Sequence, residues 1–258
     1  ACMTIELPGS LPLNSPTELP TVISFQTQTP IPSPTRLPTV TTAPIPTWVT
    51  EFANPILLKL TNRQPNYNDD FSGFNQGWFY VIPDSQVNPY YAQIVGEALL
   101  LKIPDGKEKK DSMVYNPKLA HKNFALSFDF KFGKTQPDDV LRFQFSQTTG
   151  QSVWLDLSKN EDWSFDWGLH NQENSNSGTY YYFSPERINV EIIMQGNVCA
   201  VYLNHDPLGY LSNCRADPNA RLSPMAVSFH LLSSTGYDAS ATIDNVKFWE
   251  LDKVPDLT

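Results

Sequence analysis

The most regular pattern in the chain is an alternation of large apolar residues with small or polar ones over Phe124–Phe132. A period of two residues is typical of a half-buried strand, and a helix cannot use it. A strand with a large apolar face needs an equally apolar partner, so the pattern predicts a second sheet packed against this one. The large apolar residues of that face are Phe124, Leu126, Phe128, Phe130 and Phe132.

Comparable alternation recurs along the rest of the chain, with turn residues between the segments. We expect about a dozen strands and no amphipathic helix, which indicates an all-β, two-sheet antiparallel sandwich with jelly-roll or Greek-key connections. Phe124–Phe132 is expected in the middle of a meander, and Pro117 is expected to end the strand before it. The other main segments are Ala98–Ile103, Ser112–Tyr115, Val140–Gln147, Gln151–Leu157, Asp162–His170, Ile188–Met194, Val198–Leu203, Met225–Leu232 and Ala241–Leu251.

The first 50 residues differ in composition from the rest, because they contain ten of the 22 prolines. Frequent proline blocks helix and sheet and favours extended chain, so residues 1–50 are predicted to be a disordered Pro/Thr/Ser-rich tether. Residues 51–68 are a transition segment, in which Ile56–Leu60 forms a short strand or packs on the domain. Residues 69–258 are predicted to be the sandwich.

The formal net charge of −9 argues against a nucleic-acid ligand, which needs a basic face. There is no apolar run of 18 residues or more, so no transmembrane helix is predicted. Ala1 and Cys2, followed by the Ser/Thr/Pro-rich run, resemble the junction of a bacterial lipoprotein. That resemblance implies a lipid on Cys2 and a place on the extracellular face of the cell envelope. Mature lipoproteins begin at the cysteine, whereas Ala1 precedes it here, and the alternative is that Cys2 is an ordinary residue.

Three short motifs carry a resemblance to a known fold family: Asp69–Ser72 with Gly77 and Trp78, Cys199–Asn204, and Ile243–Phe248. They resemble the concanavalin A-like (laminin-G/glucanase-type) jelly roll of bacterial surface lipoproteins over about residues 69–251. The resemblance implies that the terminal strands pair. It also implies a structural calcium at that place, held by Asp70 and Asp244. The alternative is that both carboxylates serve only local hydrogen bonds.

No catalytic motif is evident. Jelly-roll glucanases carry their two carboxylates on one strand as Glu-x-Asp-x-x-Glu, and this string is absent. Asp156–Glu161 comes nearest, but Ser158 stands where an acid is needed, and Asp166 is interpreted as a surface residue. None of the histidines (His121, His170, His205, His230) lies in a nucleophile elbow or a zinc-type pair. We therefore expect that the chain is not an enzyme.

Carbohydrate binding is the sharper hypothesis, because sugars stack on rings while amides and carboxylates take their hydroxyls. Trp154 lies opposite the core face of its strand and is expected to point outward. Trp163 and Trp167 belong either to the core or to the ligand surface. The predicted ligand-binding residues are Trp154, Asp129 and Lys131 on strands, and Asn171, Glu173 and Tyr181 in and after a polar loop.

Cys199 and Cys214 lie 15 residues apart on either side of a turn predicted at Asn204–Pro207. Strands paired by that turn bring the two cysteines within a residue or two of each other. A bridge closing 15 residues contributes about 3 kcal/mol in the chain-entropy description. The alternatives are a disulfide and two reduced, buried cysteines.

The sequence thus predicts a non-catalytic, surface-tethered module that binds carbohydrate. One alternative is a lipoprotein that docks to a protein assembly. A weaker alternative is a glycoside hydrolase with an unrecognised site.

Overall fold

A computed structural model describes residues 44–73, 76–81, 92–105, 110–147, 150–161, 164–181, 187–215, 224–233, 237–255 and 257. The predicted tether over residues 1–43, the proposed lipidation site Cys2 and the side chain of Trp163 lie outside the described residues. The description below concerns the compact unit that begins at Pro44.

The described chain contains one α-helix, fifteen strands and two short turns of other helix types. A π-helical turn covers Val49–Ala53, helix α1 covers Asn54–Leu60 and a 3₁₀ turn covers Leu251–Lys253. The strands are β1 (Tyr67–Asp69), β2 (Phe79–Val81), β3 (Ala92–Ile94), β4 (Leu99–Ile103), β5 (Lys110–His121), β6 (Phe124–Phe132), β7 (Val140–Gln147), β8 (Ser152–Glu161), β9 (Ser164–His170), β10 (Ser175–Tyr181), β11 (Ile188–Gln195), β12 (Val198–Leu203), β13 (Asp206–Leu211), β14 (Met225–Ser233) and β15 (Ala239–Glu250).

The strands form two antiparallel sheets. Sheet 1 has the order β13-β12-β11-β6-β15-β4-β3, with β1 paired to β15, and sheet 2 has the order β10-β9-β8-β7-β14-β5-β2. Consecutive strands change sheet at several points, as between β6 and β7, so the connections are those of a jelly roll. The predicted all-β, two-sheet sandwich is confirmed.

The predicted meander around Phe124–Phe132 is wrong. Strand β6 pairs with β11 and β15 in sheet 1, whereas β7 and β8 lie in sheet 2. The physical reason is that β6 and β7 both carry rows of phenylalanines, which bury more surface facing each other than side by side. The rings of Phe128 and Phe143 meet across the two sheets with centroids 4.4 Å apart.

A short helix was not expected from the sequence, and α1 corrects that prediction. Ile56 and Leu60 are four residues apart and both are buried, whereas Leu58 between them is 74% exposed. The helix packs on the outer face of sheet 1, where small side chains, Ala125 and Ala200, leave room for it. Propensity alone cannot separate a short apolar strand from such a helix, so tertiary packing decides. No helix in the described ranges is long and apolar enough to cross a membrane.

Strand β5 continues through Pro117, which the sequence predicted as its end. The pairing with β14 shifts register between Met225 and Val227, so the residues around Pro117 form an irregular segment of the strand. Proline lacks the N–H that a regular ladder needs, and such an irregularity is where a strand tolerates it. The turn between β3 and β4 has positive φ at both Gly96 and Glu97.

The terminal strands meet as the resemblance implied, with Asp69 of β1 opposite Val246 of β15. Asp69 is 2% exposed, and its carboxylate accepts hydrogen bonds from the Phe71 N–H (2.9 Å) and the Trp78 Nε1–H (2.9 Å). It also accepts one from the Tyr67 hydroxyl at 3.0 Å. Burial, and then the Asp69 charge, raise the pKa of Tyr67 above its ordinary value. The buried Asp69 therefore stabilises the start of the domain where β1 pairs with the last strand, β15.

Cys199 of β12 and Cys214, after β13, lie at sulfur–sulfur bonding distance, with their Cα atoms 5.8 Å apart. That Cα separation is the usual one for a disulfide. The turn between the strands has positive φ at Asn204 and His205, and Cys199 lies opposite Leu211. Cys214 is thus three residues beyond the position that faces Cys199.

Candidate functional site

The outer face of sheet 2 carries a row of side chains that crosses six strands in register. The row is Phe79, Tyr115, Ser228, Gln144, Trp154 and His170. The residues next to them along each strand are buried between the sheets, as Val114, Phe143, Leu155 and Phe229 show. Alternation along six separate strands therefore gathers these side chains on one solvent-facing surface.

Two stacked ring pairs stand at the ends of this row. Phe79 and Tyr115 have ring centroids 5.5 Å apart, and Trp154 and His170 have ring centroids 5.9 Å apart. Tyr115 and Trp154 are three strand spacings apart, roughly 14 Å. Ser228 and Gln144 between them are smaller. We call the surface from Phe79 to His170 across these strands the trough.

Two residues away from this row along the strands, the trough contains an ion pair. Arg142 Nε and Nη2 donate to the two oxygens of Asp156 at 2.7 and 2.9 Å, a bidentate geometry. The hydrogen bond to Asp156 raises the pKa of Arg142 above its ordinary value. The Arg142 guanidinium carbon also lies 5.4 Å from the centre of the Trp154 ring. The ion pair therefore sets the positions of both the carboxylate and the ring.

Asp156 and Asp166 share the outer face of sheet 2. Asp156 is opposite Gly168 in the ladder between β8 and β9, and Asp166 lies two residues from Gly168, so the two aspartates are diagonal neighbours. Diagonal positions are roughly 7–8 Å apart. The carboxylates also lean apart, because Asp156 bonds to Arg142 on β7 and Asp166 accepts from Thr179 Oγ1 on β10 at 2.7 Å. Gly168 has no side chain, and the His170 ring occupies that space.

A chain of hydrogen bonds runs along the floor of the trough from Ser228 to Asp111. Ser228 Oγ is 2.9 Å from His230 Nε2, and His230 Nδ1 is 3.2 Å from Asp111 Oδ2. In the tautomer with its proton on Nδ1, His230 donates to Asp111 and its Nε2 accepts from the serine hydroxyl, which also lies 3.4 Å from the Gln144 carbonyl oxygen. Ser228 and His230 lie on the interior strand β14, and Asp111 lies on the neighbouring strand β5.

The structure does not bring all the predicted ligand residues together. Trp154 points outward as expected and belongs to the trough. Asp129 and Lys131 point outward from sheet 1, on the opposite side of the sandwich, so these predicted ligand residues do not share a face with Trp154. Asp129 lines a cavity of about 940 Å³ beside α1, and its carboxylate accepts from the Asn189 and Asn245 amides at 2.8 Å each.

The polar loop residues have structural contacts of their own. The Asn171 side chain is buried, donates to the carbonyls of Asn213 and Cys214, and accepts from the N–H groups of Glu173 and Asn174. Glu173 is exposed, and Tyr181 on the edge strand β10 is 58% exposed. Trp167 is 8% exposed and belongs to the core. Asn171 therefore holds a turn, whereas Tyr181 remains accessible.

The aspartates predicted to hold calcium are engaged as follows. Asp70 Oδ1 accepts from the N–H and the hydroxyl of Ser72, and Asp244 Oδ2 is 2.7 Å from Arg187 Nη2. Among the described residues, no cluster of three or more His, Cys, Asp or Glu side chains is arranged to hold a metal ion. The calcium site stays a prediction.

Sequence reasoning missed most of the trough. Arg142, His170, Ser228 and His230 were not grouped, and Asp156 and Asp166 were set aside. Alternation identified the outward positions of each strand, so it carried part of the signal. It did not show which strands are neighbours, and the trough depends on that order.

No protein-family model matches the sequence, and no curated protein sequence matches it. Solved structures do match. The laminarinase catalytic domain of Thermotoga maritima superposes with a TM-score of 0.57 at 11% identity, covering 72% of this chain and 98% of that one. The Bacillus licheniformis β-glucanase gives 0.54 at 10% identity, with 71% and 97% covered. A Zobellia galactanivorans enzyme variant, LamA E269S, in complex with laminaritriose and laminaritetraose gives 0.57 at 13% identity, with 73% and 99% covered.

These comparisons contradict the expectation of a non-catalytic module that is not an enzyme. The similar structures are glycan-cleaving enzymes by name, and this chain matches them over nearly their whole length. The comparisons therefore favour the glycoside hydrolase alternative, which the sequence analysis ranked lowest. At 10–13% identity they establish the fold rather than the activity. The described part of the chain is a concanavalin A-like jelly roll.

Proposed function

We propose that this protein is a glycoside hydrolase that binds its glycan in the trough on sheet 2. The observation that carries the proposal is the pair Asp156 and Asp166 on the same open face as two stacked ring pairs. Glycoside hydrolysis needs two carboxyl groups beside the scissile bond, one as general acid and one as base or nucleophile. The fold shared with laminarinase and β-glucanase supports the same class of reaction.

The trough offers the contacts that a sugar chain uses. Phe79 is 51% exposed and supplies an apolar ring for the C–H face of a sugar. Arg142, bonded to Asp156, and Gln144, bonded to Ser146 and Ser152, place polar groups between the two ring pairs. Aromatic rings at both ends and polar side chains between them suit a neutral oligosaccharide lying across the strands.

The two aspartates have distinct roles in this proposal. The bidentate contact to Arg142 orients the Asp156 carboxylate on the face of the trough, and in this proposal Asp156 is the base that activates water. Asp166 accepts from the Thr179 hydroxyl at 2.7 Å and is exposed, and in this proposal it is the acid that protonates the leaving oxygen. Diagonal neighbours have their Cα atoms roughly 7–8 Å apart and these two carboxyls lean away from each other, which leaves room for a water, so the reaction should invert the anomeric carbon.

The test is hydrolysis of a panel of β-1,3-glucan, mixed β-1,3-1,4-glucan and β-galactan, followed by reducing-end release. We expect Asp156→Asn and Asp166→Asn each to lower the rate by about 10²–10⁴-fold, the usual effect of losing acid–base catalysis. NMR of the first product should show inversion. Circular dichroism should show both variants folded, because the two side chains lie on the surface of sheet 2.

Asp105→Asn is the matched control, because Asp105 is exposed at the end of β4 in sheet 1. It should hydrolyse the same substrate at the rate of the unaltered protein. Hydrolysis of none of the panel, or equal rates for all three variants, would contradict the proposed function. Retention of the anomeric configuration would contradict the assignment of Asp156 as base.

A further inference from the structure

Beyond glycan cleavage, we propose that Ser228, His230 and Asp111 form a serine esterase centre that hydrolyses a carboxylic ester bound in the trough. The three side chains are linked in the order that nucleophilic catalysis requires. The serine hydroxyl contacts the His230 Nε2 at 2.9 Å, and the opposite ring nitrogen contacts Asp111 at 3.2 and 3.3 Å. Such a constellation is recognised by its geometry and roles and not by its order in the sequence.

The position of the centre fits a ligand-binding role. Strand β14 is in the interior of sheet 2, and Ser228 lies between Tyr115 and Gln144 in the row that joins the two ring pairs. His230 is only 8% exposed at its side chain and Asp111 is 39% exposed. The imidazole is thus mostly buried, while the carboxylate is partly exposed.

Acyl transfer also requires stabilisation of an oxyanion, and polar groups lie on the strands beside Ser228. Tyr115 flanks Ser228 on one side and carries an O–H donor. Gln144 flanks it on the other side, with its Nε2 bonded to Ser146 and Ser152. Arg142, bonded to Asp156, lies opposite His230 in the ladder and brings a positive charge to the same face. In this proposal the Tyr115 hydroxyl and the positive charge of Arg142 stabilise the negative charge that develops on the carbonyl oxygen.

The reaction balances with water as the only co-reactant. Ser228 Oγ attacks the ester carbonyl carbon and forms a C–O bond while its proton passes to His230 Nε2. The tetrahedral intermediate breaks the bond to the alkoxy group, which leaves as the alcohol with that proton. Water then attacks the acyl-Ser228 ester and gives a proton to His230 Nε2. Collapse releases the carboxylic acid and returns the proton to Ser228 Oγ.

The expected substrate class is a short acyl ester, either free or on a hydroxyl of a sugar in the trough. The first probe is a fluorophosphonate, which phosphonylates activated serines, followed by mass spectrometry of the digested full chain. We expect one adduct, on Ser228. The second probe is p-nitrophenyl acetate, for which Ser228→Ala and Asp111→Asn should lower the hydrolysis rate about 10²-fold or more.

Ser152→Ala is the matched control, because Ser152 lies on the same face and, within the described part of the chain, its hydroxyl hydrogen-bonds Ser146 and Gln144 rather than a histidine. Ser152→Ala should still form the adduct on Ser228 and should hydrolyse p-nitrophenyl acetate at the rate of the unaltered protein. Absence of an adduct on Ser228 in the folded protein, or an unchanged rate in Ser228→Ala, would overturn the esterase centre. Asp111→Asn alters a surface side chain, so its result does not depend on refolding. Neither assay uses a glycosidic bond, so the outcome is independent of the proposed glycanase.

Discussion

Phe128→Ala should lower the free energy of unfolding by about 3–5 kcal/mol, the range for truncating a buried phenylalanine. Phe128 of sheet 1 is fully buried, and its ring meets Phe143 at 4.4 Å and Phe229 at 5.2 Å, both in sheet 2. Truncation removes apolar burial and also leaves a cavity between two rigid sheets. Because both partners are held in β-ladders, the structure can close that cavity only in part. Urea denaturation followed by circular dichroism measures the change.

Phe79→Ala is the control for that measurement, because the same side chain is 51% exposed and stacks on Tyr115 on the outer face of sheet 2. Phe79→Ala should lower the free energy of unfolding by about 1 kcal/mol or less, which is the usual contribution of a pair of aromatic rings. If the two variants were destabilised equally, Phe128 would not lie at the centre of the interface between the sheets.

Asp69→Ala should lower the free energy of unfolding by about 3 kcal/mol or more, even though the residue is remote from the trough. Its carboxylate accepts from the Phe71 N–H, the Trp78 indole N–H and the Tyr67 hydroxyl. Hydrogen bonds to a charged group contribute about 1.5–3 kcal/mol each, and a buried donor that loses its acceptor also loses its hydration. Thermal unfolding should therefore begin at a clearly lower temperature in this variant.

The adjacent aspartate gives an unusually close control. Asp70 is exposed and, among the described residues, its carboxylate bonds to Ser72, so Asp70→Ala should change the free energy of unfolding by about 1 kcal/mol or less. A larger effect for Asp70→Ala than for Asp69→Ala would contradict the assignment of Asp69 as the residue that stabilises the start of the domain. A calcium-dependent effect confined to Asp70→Ala would instead support the metal site predicted from the resemblance.

The order of strands explains why the sequence analysis misjudged the function. The expected catalytic signature was two carboxylates on one strand, and that string is absent. In the structure the two candidate carboxylates lie on neighbouring strands, Asp156 on β8 and Asp166 on β9, and the ladder between them makes them neighbours. A search for motifs along one strand cannot detect two residues that become neighbours only because their strands pair. The same holds for Asp111 and His230, which are 119 residues apart.

The sequence by itself determined the class of fold and the inward face of the main strands. Alternation has a period of two and a strand has the same period, so Phe124–Phe130 and Leu141–Phe145 fall inside the sandwich as predicted. It also determined that Trp154 points outward, since the residues on either side of it are buried.

Only the tertiary structure decided which outward faces meet. The period of the side chains specifies which face of a strand each residue occupies. Which strands lie next to each other depends on how the two sheets bury their apolar surfaces and on the connections that cross between the sheets. Those crossings placed Asp129 and Trp154 on opposite sides of the sandwich. They also gathered Phe79, Tyr115, Ser228, Gln144, Trp154 and His170 into one row. The short apolar run at Ile56–Leu60 became a helix because small residues on the outer face of sheet 1 gave it a surface to cover.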